Sequence, residues 1–300
     1  MLWTYLINWF IISKEGKFLK YLFLRNNRVK NMKVSRIIRN ERVYLDCYLP
    51  DKCENFRPET GNAAVLIFPG GGYNFCSPRE AEPIALKFLS KGFTCFVLNY
   101  SVKGNCLFPA SLLDAAWAMK KIRDNSVEFD IDPDKIAVTG FSAGGHLAAS
   151  LSTMYNKDEV LNSELGVEVD EVRPNASVLC YPVISGVEDT HIWSFHNILE
   201  KDNPTDDELI NLSCEYYINE KTPPAFIWHT ANDSTVPVIN SLVYAEGLAS
   251  NKVPFELHIY DEGDHGLATC DRMTLDYETS YKDWVDKAAD FLIKYLHFYD

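Results

Sequence analysis

From about residue 43 onward, short apolar runs alternate with longer stretches in which apolar residues recur at helical spacing. This alternation is typical of a parallel β-sheet with helices on both faces. Most of the runs are continuously apolar, as expected of strands that are covered on both sides. The predicted strands span residues 63–68, 93–100, 135–140, 176–181, 224–230 and 255–260.

Two strands near the ends of this pattern differ from the rest. Residues 255–260 alternate apolar and polar side chains, which indicates a position near a sheet edge. Residues 43–49 form an earlier strand, which we expect to pair with residues 33–40 as an antiparallel hairpin. Helices are predicted near residues 79–91, 111–125, 143–155, 238–251 and 280–297.

No linker rich in proline, glycine or serine divides the pattern, so we expect one α/β domain over residues 32–300. Residues 184–222 form a long acidic and aromatic segment between the predicted strands at residues 176–181 and 224–230. We expect them to form a small lid insertion over the carboxyl ends of the strands, where open α/β sheets bind ligands. Residues 1–31, apolar and then basic, are expected to lie outside the fold, with a membrane-surface helix as the alternative.

Composition and charge argue against nucleic-acid binding and membrane insertion. Among 300 residues, 47% are hydrophobic and 24% are charged, with a net charge of −13, which would repel nucleic acid. The first apolar stretch, residues 1–13, is too short to cross about 30 Å of hydrocarbon and lacks the features of a secretion signal. The eight cysteines form no C-x-x-C pair. We therefore expect a cytoplasmic protein with reduced thiols and no stable membrane insertion.

The strongest chemical motif is a G-x-S-x-G sequence, Gly140–Gly144, between a predicted strand and a predicted helix. A serine nucleophile needs this context, because a tight strand–turn–helix exposes its hydroxyl. The two glycines allow the chain to approach itself closely on either side of Ser142. We therefore predict that Ser142 is the nucleophile.

A second glycine-rich segment, Pro69–Tyr73, directly follows the strand at residues 63–68. Its backbone could approach a ligand closely and expose N–H groups. Gly71, Gly72 and Ala143 are predicted to form an oxyanion hole. A phosphate-binding loop is the alternative, but the spacing does not fit G-x-G-x-x-G and no Walker lysine follows.

A serine nucleophile requires a base and an acid that orients the base. Asp233 and His265 follow the strands at residues 224–230 and 255–260, at the same sheet edge as Ser142. The acid precedes the histidine and both follow the serine, which is the order found in strand–turn–helix serine hydrolases. His229 could touch the site but precedes Asp233 too closely to act as the base, and His146 is expected to be structural.

Other arrangements of titratable residues fit less well. Asp261 and Asp264 are alternatives for the acid, although carboxylates on the same short loop as His265 seldom reach its Nδ1. His191 and His196 match no strong metal-ligand spacing, so we predict neither a metal nor a cofactor.

Four motifs occur in order along the chain: Pro69–Tyr73, Gly140–Gly145, Asp233 with Val236-Pro237, and Asp264-His265-Gly266. They resemble those of α/β-hydrolases of the acetylesterase or acetyl-xylan-esterase-like group, which is related to feruloyl esterases and dipeptidyl-peptidase-like hydrolases. The resemblance covers roughly residues 33–298. It implies a Ser–His–Asp serine esterase that needs no cofactor and prefers short acyl groups, especially acetate on a plant oligosaccharide. Pro69 stands where lipase-type loops have histidine, which argues against the hormone-sensitive-lipase branch.

Substrate choice is expected to depend on an aromatic wall suited to a sugar face, with packing within the insertion as the alternative. The candidate residues are Tyr73, Phe75, Trp193, Phe195 and His196. The expected partner is a small-molecule ester such as an acetylated oligosaccharide imported into the cell. A serine peptidase or an esterase for xenobiotic compounds remains possible, as does a catalytically silent binding protein of the same fold.

Overall fold

The computed structural model describes residues 32–50, 62–187, 189–274, 281 and 283–298. The predicted N-terminal extension, residues 1–31, lies outside the described residues. The strands form one eight-stranded sheet. They are β1 Lys33–Ile38, β2 Tyr44–Leu49, β3 Asn62–Phe68, β4 Thr94–Asn99, β5 Ile131–Phe141, β6 Ala176–Cys180, β7 Ala225–Thr230 and β8 Phe255–Tyr260.

The order of strands across the sheet is β1-β2-β4-β3-β5-β6-β7-β8. Strand β2 is antiparallel to both β1 and β4. The remaining neighbours, from β4 to β8, are parallel. The mostly parallel α/β fold is thus confirmed, as are the hairpin of β1 with β2 and the edge position of β8.

The helices include five long ones close to their predicted positions and several short ones that the periodicity did not reveal. In chain order they are α1 Glu82–Leu89, α2 Ala110–Asp124, α3 Ser126–Phe129, α4 Ala143–Met154, α5 Asp158–Leu161, α6 Val169–Val172, α7 Ile192–Ile198, α8 Asp206–Ile210, α9 Ile239–Ser250 and α10 Trp284–Tyr295. Short 3-10 turns occur at Pro78–Glu80, Cys214–Tyr217 and Arg272–Thr274. None of these helices is long and apolar enough to cross a membrane.

The core consists of two layers, one on each face of the sheet. Helices α2, α4 and α9 pack on one face through residues such as Leu112, Leu147 and Tyr244. Helices α1 and α10 cover the other face through residues such as Phe88 and Trp284. Strands β3, β6 and β7, and β5 from Ile136 onward, lie between these layers and are buried, which explains their continuous apolar runs.

The loops that carry the predicted chemistry leave the same edge of the sheet. Strands β3, β5, β7 and β8 run parallel, and their carboxyl ends lead into the glycine-rich segment, Ser142, Asp233 and His265 respectively. The insertion, residues 184–222, follows β6 and contains α7 and α8. The sheet therefore places the candidate residues together, as open α/β sheets do with their ligand sites.

Candidate active site

Ser142 occupies a sharp turn between β5 and α4. Its backbone has φ 54° and ψ −120°, a conformation that L-residues rarely adopt. The Ser142 N–H donates to the carbonyl of Cys180 at 3.1 Å, and its own carbonyl accepts from the N–H of Val183 at 3.1 Å. Strand β6 and the chain after it therefore hold the strained turn in place.

Glycine is required on both sides of Ser142 because the chain folds back on itself. A Cβ atom at Gly140 would lie 2.0 Å from the carbonyl oxygen of Gly144. A Cβ at Gly144 would lie 2.1 Å from the carbonyl oxygen of Phe68 at the end of β3. Backbone cannot yield to such contacts, so these glycines let the glycine-rich segment approach the start of α4.

His265 links Ser142 to Asp233 by hydrogen bonds. Its Nε2 lies 2.8 Å from Oγ of Ser142, and its Nδ1 lies 2.6 Å from Oδ2 of Asp233. The His265 side chain is 17% exposed, whereas that of Asp233 is fully buried. The structure therefore brings together all three residues predicted as nucleophile, base and acid.

The loop that bears His265 is fastened to the loop that bears Asp233. The N–H of Gly263 donates to Oδ1 of Asn232 at 2.8 Å, and Oγ1 of Thr230 donates to the carbonyl of Gly263 at 2.9 Å. These bonds fix the backbone two residues before His265. The orientation of the imidazole thus depends on β7 as well as on β8.

Asp233 accepts hydrogen bonds at both of its carboxylate oxygens. The N–H groups of Thr235 and Val236 donate to Oδ1, each at 2.9 Å. Burial raises the pKa of Asp233, but hydrogen bonds from His229 and His265 and the charge of His265 outweigh it and hold the pKa well below its usual range. The carboxylate is therefore ionised when it faces the imidazole.

His229, which from its place at the end of a predicted strand could touch the site, contacts Asp233. It lies at the end of β7, with Nε2 2.9 Å from the carbonyl oxygen of Val236 and 3.3 Å from Oδ2 of Asp233. Because a carbonyl only accepts, Nε2 carries a proton, and Nδ1 lies 2.8 Å from the hydroxyl oxygen of Ser241. The i,i+4 spacing of His229 and Asp233, together with the place of His229 at the end of a strand, is the sequence signal of this contact.

The predicted oxyanion-hole segment forms a tight loop next to Ser142. Gly71 has φ 123°, and a Cβ there would lie 2.2 Å from the carbonyl oxygen of Phe75. The N–H groups of Gly71 and Gly72 find no backbone or side-chain acceptor in the part of the chain that the structure describes. Ala143 is the first residue of α4, where N–H groups lack partners within the helix.

The predicted aromatic wall is only partly present, and two of its five members require correction. Tyr73 and Phe195 are each 1% exposed and belong to the core. By contrast, Phe75 is 53% exposed and Trp193 is 66% exposed. His196 packs edge-on against Trp193, with ring centroids 5.5 Å apart. Of the five predicted members, Phe75 and Trp193 are exposed and His196 is half-buried beside Trp193.

Tyr73 and Phe195 are buried because both pack on His146 in α4. The Tyr73 hydroxyl lies 2.7 Å from Nδ1 of His146, and the Phe195 ring lies 5.4 Å from the imidazole between centroids. Nε2 of His146 donates to the carbonyl of Leu212 at 2.8 Å. Burial lowers the pKa of His146 to about 4, so this histidine is neutral and structural, as its sequence position suggested.

His191 is a residue whose place at the site the sequence did not reveal. A Cβ added at Gly72 would lie 3.8 Å from Cε1 of His191 and 4.0 Å from Oγ of Ser194, so both side chains face the glycine loop. Burial and the charge of His265 lower the pKa of His191. Nδ2 of Asn197 also donates to the carbonyl of Gly72 at 2.7 Å, which anchors α7 to this loop.

No group of three or more histidine, cysteine, aspartate or glutamate side chains among the described residues could hold a metal ion. The site itself consists of a serine hydroxyl, an imidazole and a buried carboxylate joined by hydrogen bonds, beside the backbone N–H groups of the glycine loop. Such an arrangement can perform acyl transfer.

Comparison with known proteins identifies the family. The family model described as BD-FAE matches residues 45–248. The chain belongs to the BD-FAE family. The crystal structure of an acetyl ester-xyloside bifunctional hydrolase from Caldicellulosiruptor lactoaceticus superposes with a TM-score of 0.75 and 34% identity, covering 91% of this chain and 99% of that one.

Two relatives of this BD-FAE chain are larger proteins. Endo-1,4-beta-xylanase B of Butyrivibrio fibrisolvens is 38% identical over 206 residues, which are 68% of this chain and 32% of the relative. Acetylxylan esterase of Xylanibacter ruminicola is 35% identical over 227 residues, 74% of this chain and 43% of the relative. This chain therefore spans less than half the length of either relative. The resemblance to α/β-hydrolases of the acetylxylan-esterase group is confirmed, and the proteins that match the chain include esterases by name.

Proposed function

We propose that this chain is a serine carboxylic-ester hydrolase that removes short acyl groups, chiefly acetyl, from carbohydrates such as xylo-oligosaccharides. The observation that carries the proposal is the hydrogen-bonded line from Ser142 through His265 to Asp233. It lies beside the glycine loop at the carboxyl edge of the sheet.

In the first half of the reaction, Nε2 of His265 takes the proton of the Ser142 hydroxyl while Oγ attacks the ester carbonyl. Asp233 holds the imidazole in the tautomer with a proton on Nδ1 and stabilises its charged form. The N–H groups of Gly71, Gly72 and Ala143 donate to the oxyanion that forms. One such donor contributes about 2.7–4 kcal/mol to the stability of the transition state.

Collapse of the oxyanion breaks the bond to the alcohol, which leaves with the proton held by His265. Ser142 then carries the acyl group. A water molecule gives a proton to His265 and attacks this acyl-enzyme, and the second oxyanion uses the same N–H groups. The acid is released and the Ser142 hydroxyl is restored, so the cycle uses only ester and water.

A carbohydrate alcohol is favoured by the exposed aromatic side chains near the glycine loop. Phe75 adjoins the loop, and Trp193 with His196 lies on α7, which Asn197 fastens to Gly72. Aromatic faces of this kind pack against the apolar face of a sugar ring. The names of an acetylxylan esterase and an acetyl ester-xyloside hydrolase among the relatives support acetate as the acyl group.

As part of the same proposal, we place the activity in the cytoplasm. The described strands bury several thiols, among them those of Cys47, Cys95 and Cys180. Reduced, buried cysteines of this kind are typical of cytosolic proteins. Fractionation of the source cells with an antibody to the protein tests this placement, and recovery outside the cells would contradict it.

The activity is tested with 4-nitrophenyl acetate, butyrate and octanoate, using the wild type and Ser142→Ala. We expect turnover that falls with chain length and drops at least about a thousandfold in the variant. Release of acetate from acetylated xylo-oligosaccharides then tests the alcohol. Failure to find any turnover that depends on Ser142 would contradict the esterase and leave a peptidase or a binding protein to be tested.

A further inference from the structure

Glu80 is a buried carboxylate beside the candidate active site that the mechanism above does not use. It ends the 3-10 turn Pro78–Glu80 and is 4% exposed. Its Oε2 accepts from the N–H of Gly70 at 2.9 Å, and its Oε1 accepts from the hydroxyl of Tyr181 at 2.7 Å. Both carboxylate oxygens are thus engaged in the interior.

On one side, Glu80 supports the loop that holds the predicted oxyanion donors. Gly70 directly precedes Gly71, and a Cβ added at Gly70 would lie 2.7 Å from Oε2 of Glu80 and 3.1 Å from Cβ of Ser142. The carboxylate therefore packs against the backbone between the glycine loop and the nucleophile. A shift of Glu80 would move the N–H groups relative to Ser142.

On its other side, Glu80 is linked through Tyr181 to the loop that carries His265. The Tyr181 oxygen accepts from the N–H of Ala268 at 2.9 Å, three residues after His265. The Tyr181 ring also meets the His265 imidazole edge-on, with centroids 5.1 Å apart. Glu80 and Tyr181 together therefore connect the glycine loop with the segment that carries His265.

We propose that Glu80 is a positioning residue of the esterase reaction. Through Gly70 and Tyr181 it fixes the oxyanion donors relative to His265, and its negative charge favours the protonated imidazole that forms during acyl transfer. This inference rests on the proposed function and adds a second buried carboxylate to it.

The groups around Glu80 determine how its charge acts. The titratable and charged groups that face it are Tyr100, Cys180, Tyr181, Arg79 and His265. Burial raises the pKa of Glu80 above its ordinary value, and hydrogen bonds from Tyr181 and Gly70 and the positive charge of His265 offset only part of this effect. Both oxygens of Glu80 accept hydrogen bonds, as those of an ionised carboxylate do. Burial also raises the pKa values of Tyr100, Cys180 and Tyr181, which stay neutral. Among these groups, His265 is the one that gains a proton during acyl transfer, so the interaction of Glu80 that changes in the reaction is the one with His265.

The test compares Glu80→Gln with Glu82→Gln, the same chemical change on an exposed side chain two residues later. The pH dependence of kcat and kcat/KM for 4-nitrophenyl acetate is measured for both variants and the wild type, with active sites counted by titration with a phosphonate inhibitor. For Glu80→Gln we expect kcat to fall about tenfold with KM changed less than about threefold, because outright loss of one oxyanion donor costs about 100- to 1000-fold.

We also expect the acid limb of kcat/KM to move to lower pH in Glu80→Gln. Without the Glu80 carboxylate, protonation of the base is less favourable, so the neutral base persists at lower pH. Glu82→Gln should match the wild type in both respects. An unchanged kcat in Glu80→Gln, or a lower kcat with an unmoved acid limb, would overturn the proposal, since the second result is what a merely structural role predicts.

Two further measurements complete the test. If Glu80→Gln does not fold, Tyr181→Phe decides, because it removes the hydroxyl bridge and keeps the ring. A lower kcat at unchanged KM supports the proposal and an unchanged kcat overturns it. Ser142→Ala is measured alongside. Wild-type turnover that does not depend on Ser142 overturns the proposed function and this inference together, whereas Ser142-dependent turnover unaffected at Glu80 overturns the inference alone.

Discussion

His229 and Asp233 lie side by side beneath the candidate active site. Nε2 of His229 is 3.3 Å from Oδ2 of Asp233, and both side chains are fully buried. The same oxygen of Asp233 is 2.6 Å from Nδ1 of His265. One carboxylate oxygen therefore faces two imidazoles. The inner imidazole, of His229, is fixed by Ser241 and Val236, and the outer one, of His265, reaches Ser142.

His229→Leu should weaken both stability and catalysis. The substitution removes a donor from Asp233 and leaves the buried hydroxyl of Ser241 without its partner, so the free energy of unfolding should fall by about 1–3 kcal/mol. The value of kcat should also fall, because Asp233 is less firmly held. Urea denaturation at pH 7 and 4-nitrophenyl acetate hydrolysis measure the two effects.

The matched control for this change is His258→Leu. His258 lies on the edge strand β8 with its side chain 28% exposed. There we expect a clearly smaller loss of stability than at position 229, because His258 is half-buried and its hydrogen bond to Glu256 is exposed. Equal effects at positions 229 and 258 would contradict a role of the inner imidazole.

Two adjacent glycines of the oxyanion loop should respond differently to alanine. In Gly71→Ala the new Cβ would lie 2.2 Å from a backbone oxygen, so the loop must shift and kcat should fall at least about 100-fold. In Gly72→Ala, with φ 62°, the Cβ meets nothing closer than 3.8 Å and the cost is about 1 kcal/mol of backbone strain. Purified variants are compared by kcat and by unfolding temperature, and similar losses of kcat would contradict this loop geometry.

Stability should fall as the pH drops from about 6.5 towards 4 because of His146. Burial lowers its pKa from 6.5 to about 4, so over this range the unfolded chain binds a proton that the folded protein does not. The stability due to neutral His146 is fully present above pH 6.5, and the loss approaches about 3 kcal/mol. Asp233, whose pKa is depressed, adds its own loss only below about pH 4.

The measurement is urea denaturation at pH 4.5, 5.5 and 7 for the wild type and His146→Gln. Glutamine can accept from Tyr73 and donate to Leu212 but does not titrate. The variant should be less stable at pH 7 and should lose less stability on acidification. If the free energy of unfolding falls equally with pH in the two proteins, a group other than His146 causes the loss of stability in acid.

Trp193→Ala should raise KM for acetylated xylo-oligosaccharides without changing KM for 4-nitrophenyl acetate. An aromatic contact contributes about 0.5–1.5 kcal/mol, which corresponds to roughly a two- to tenfold change. Ile38→Ala on the edge strand β1, 69% exposed, is the control for loss of exposed apolar surface. An equal rise in KM for the small ester would indicate that Trp193 shapes the site rather than binding a sugar.

Much of the sheet could be predicted because strands buried on both faces must be continuously apolar. The turn at Ser142 could be predicted because its backbone tolerates no side chain at Gly140 or Gly144. Helices such as α5 and α6, of four residues each, are too short to show a period. They form where the chain between longer elements turns locally.

The site could be predicted only where the chain places a residue directly after a strand. Glu80 and His191 belong to no motif, since they meet the site through Tyr181 and Gly72, which are about 100 residues or more away in the sequence. Tyr73 was misassigned for a local reason. Its backbone has φ 56°, and its side chain is directed inward to His146 rather than toward the entrance.

The contacts of His146 have a consequence for how the insertion is held against the nucleophile helix. One imidazole joins the glycine loop, α4 and the insertion, through Tyr73 on one nitrogen and Leu212 on the other. Swinging the insertion away at Leu212 would strand a buried N–H donor, which costs about 1–3 kcal/mol. At equilibrium this part of the insertion is therefore held against the nucleophile helix in most molecules. Ser142 and the rim at Leu212 are thus coupled through a single side chain, so a change at His146 should be felt at both.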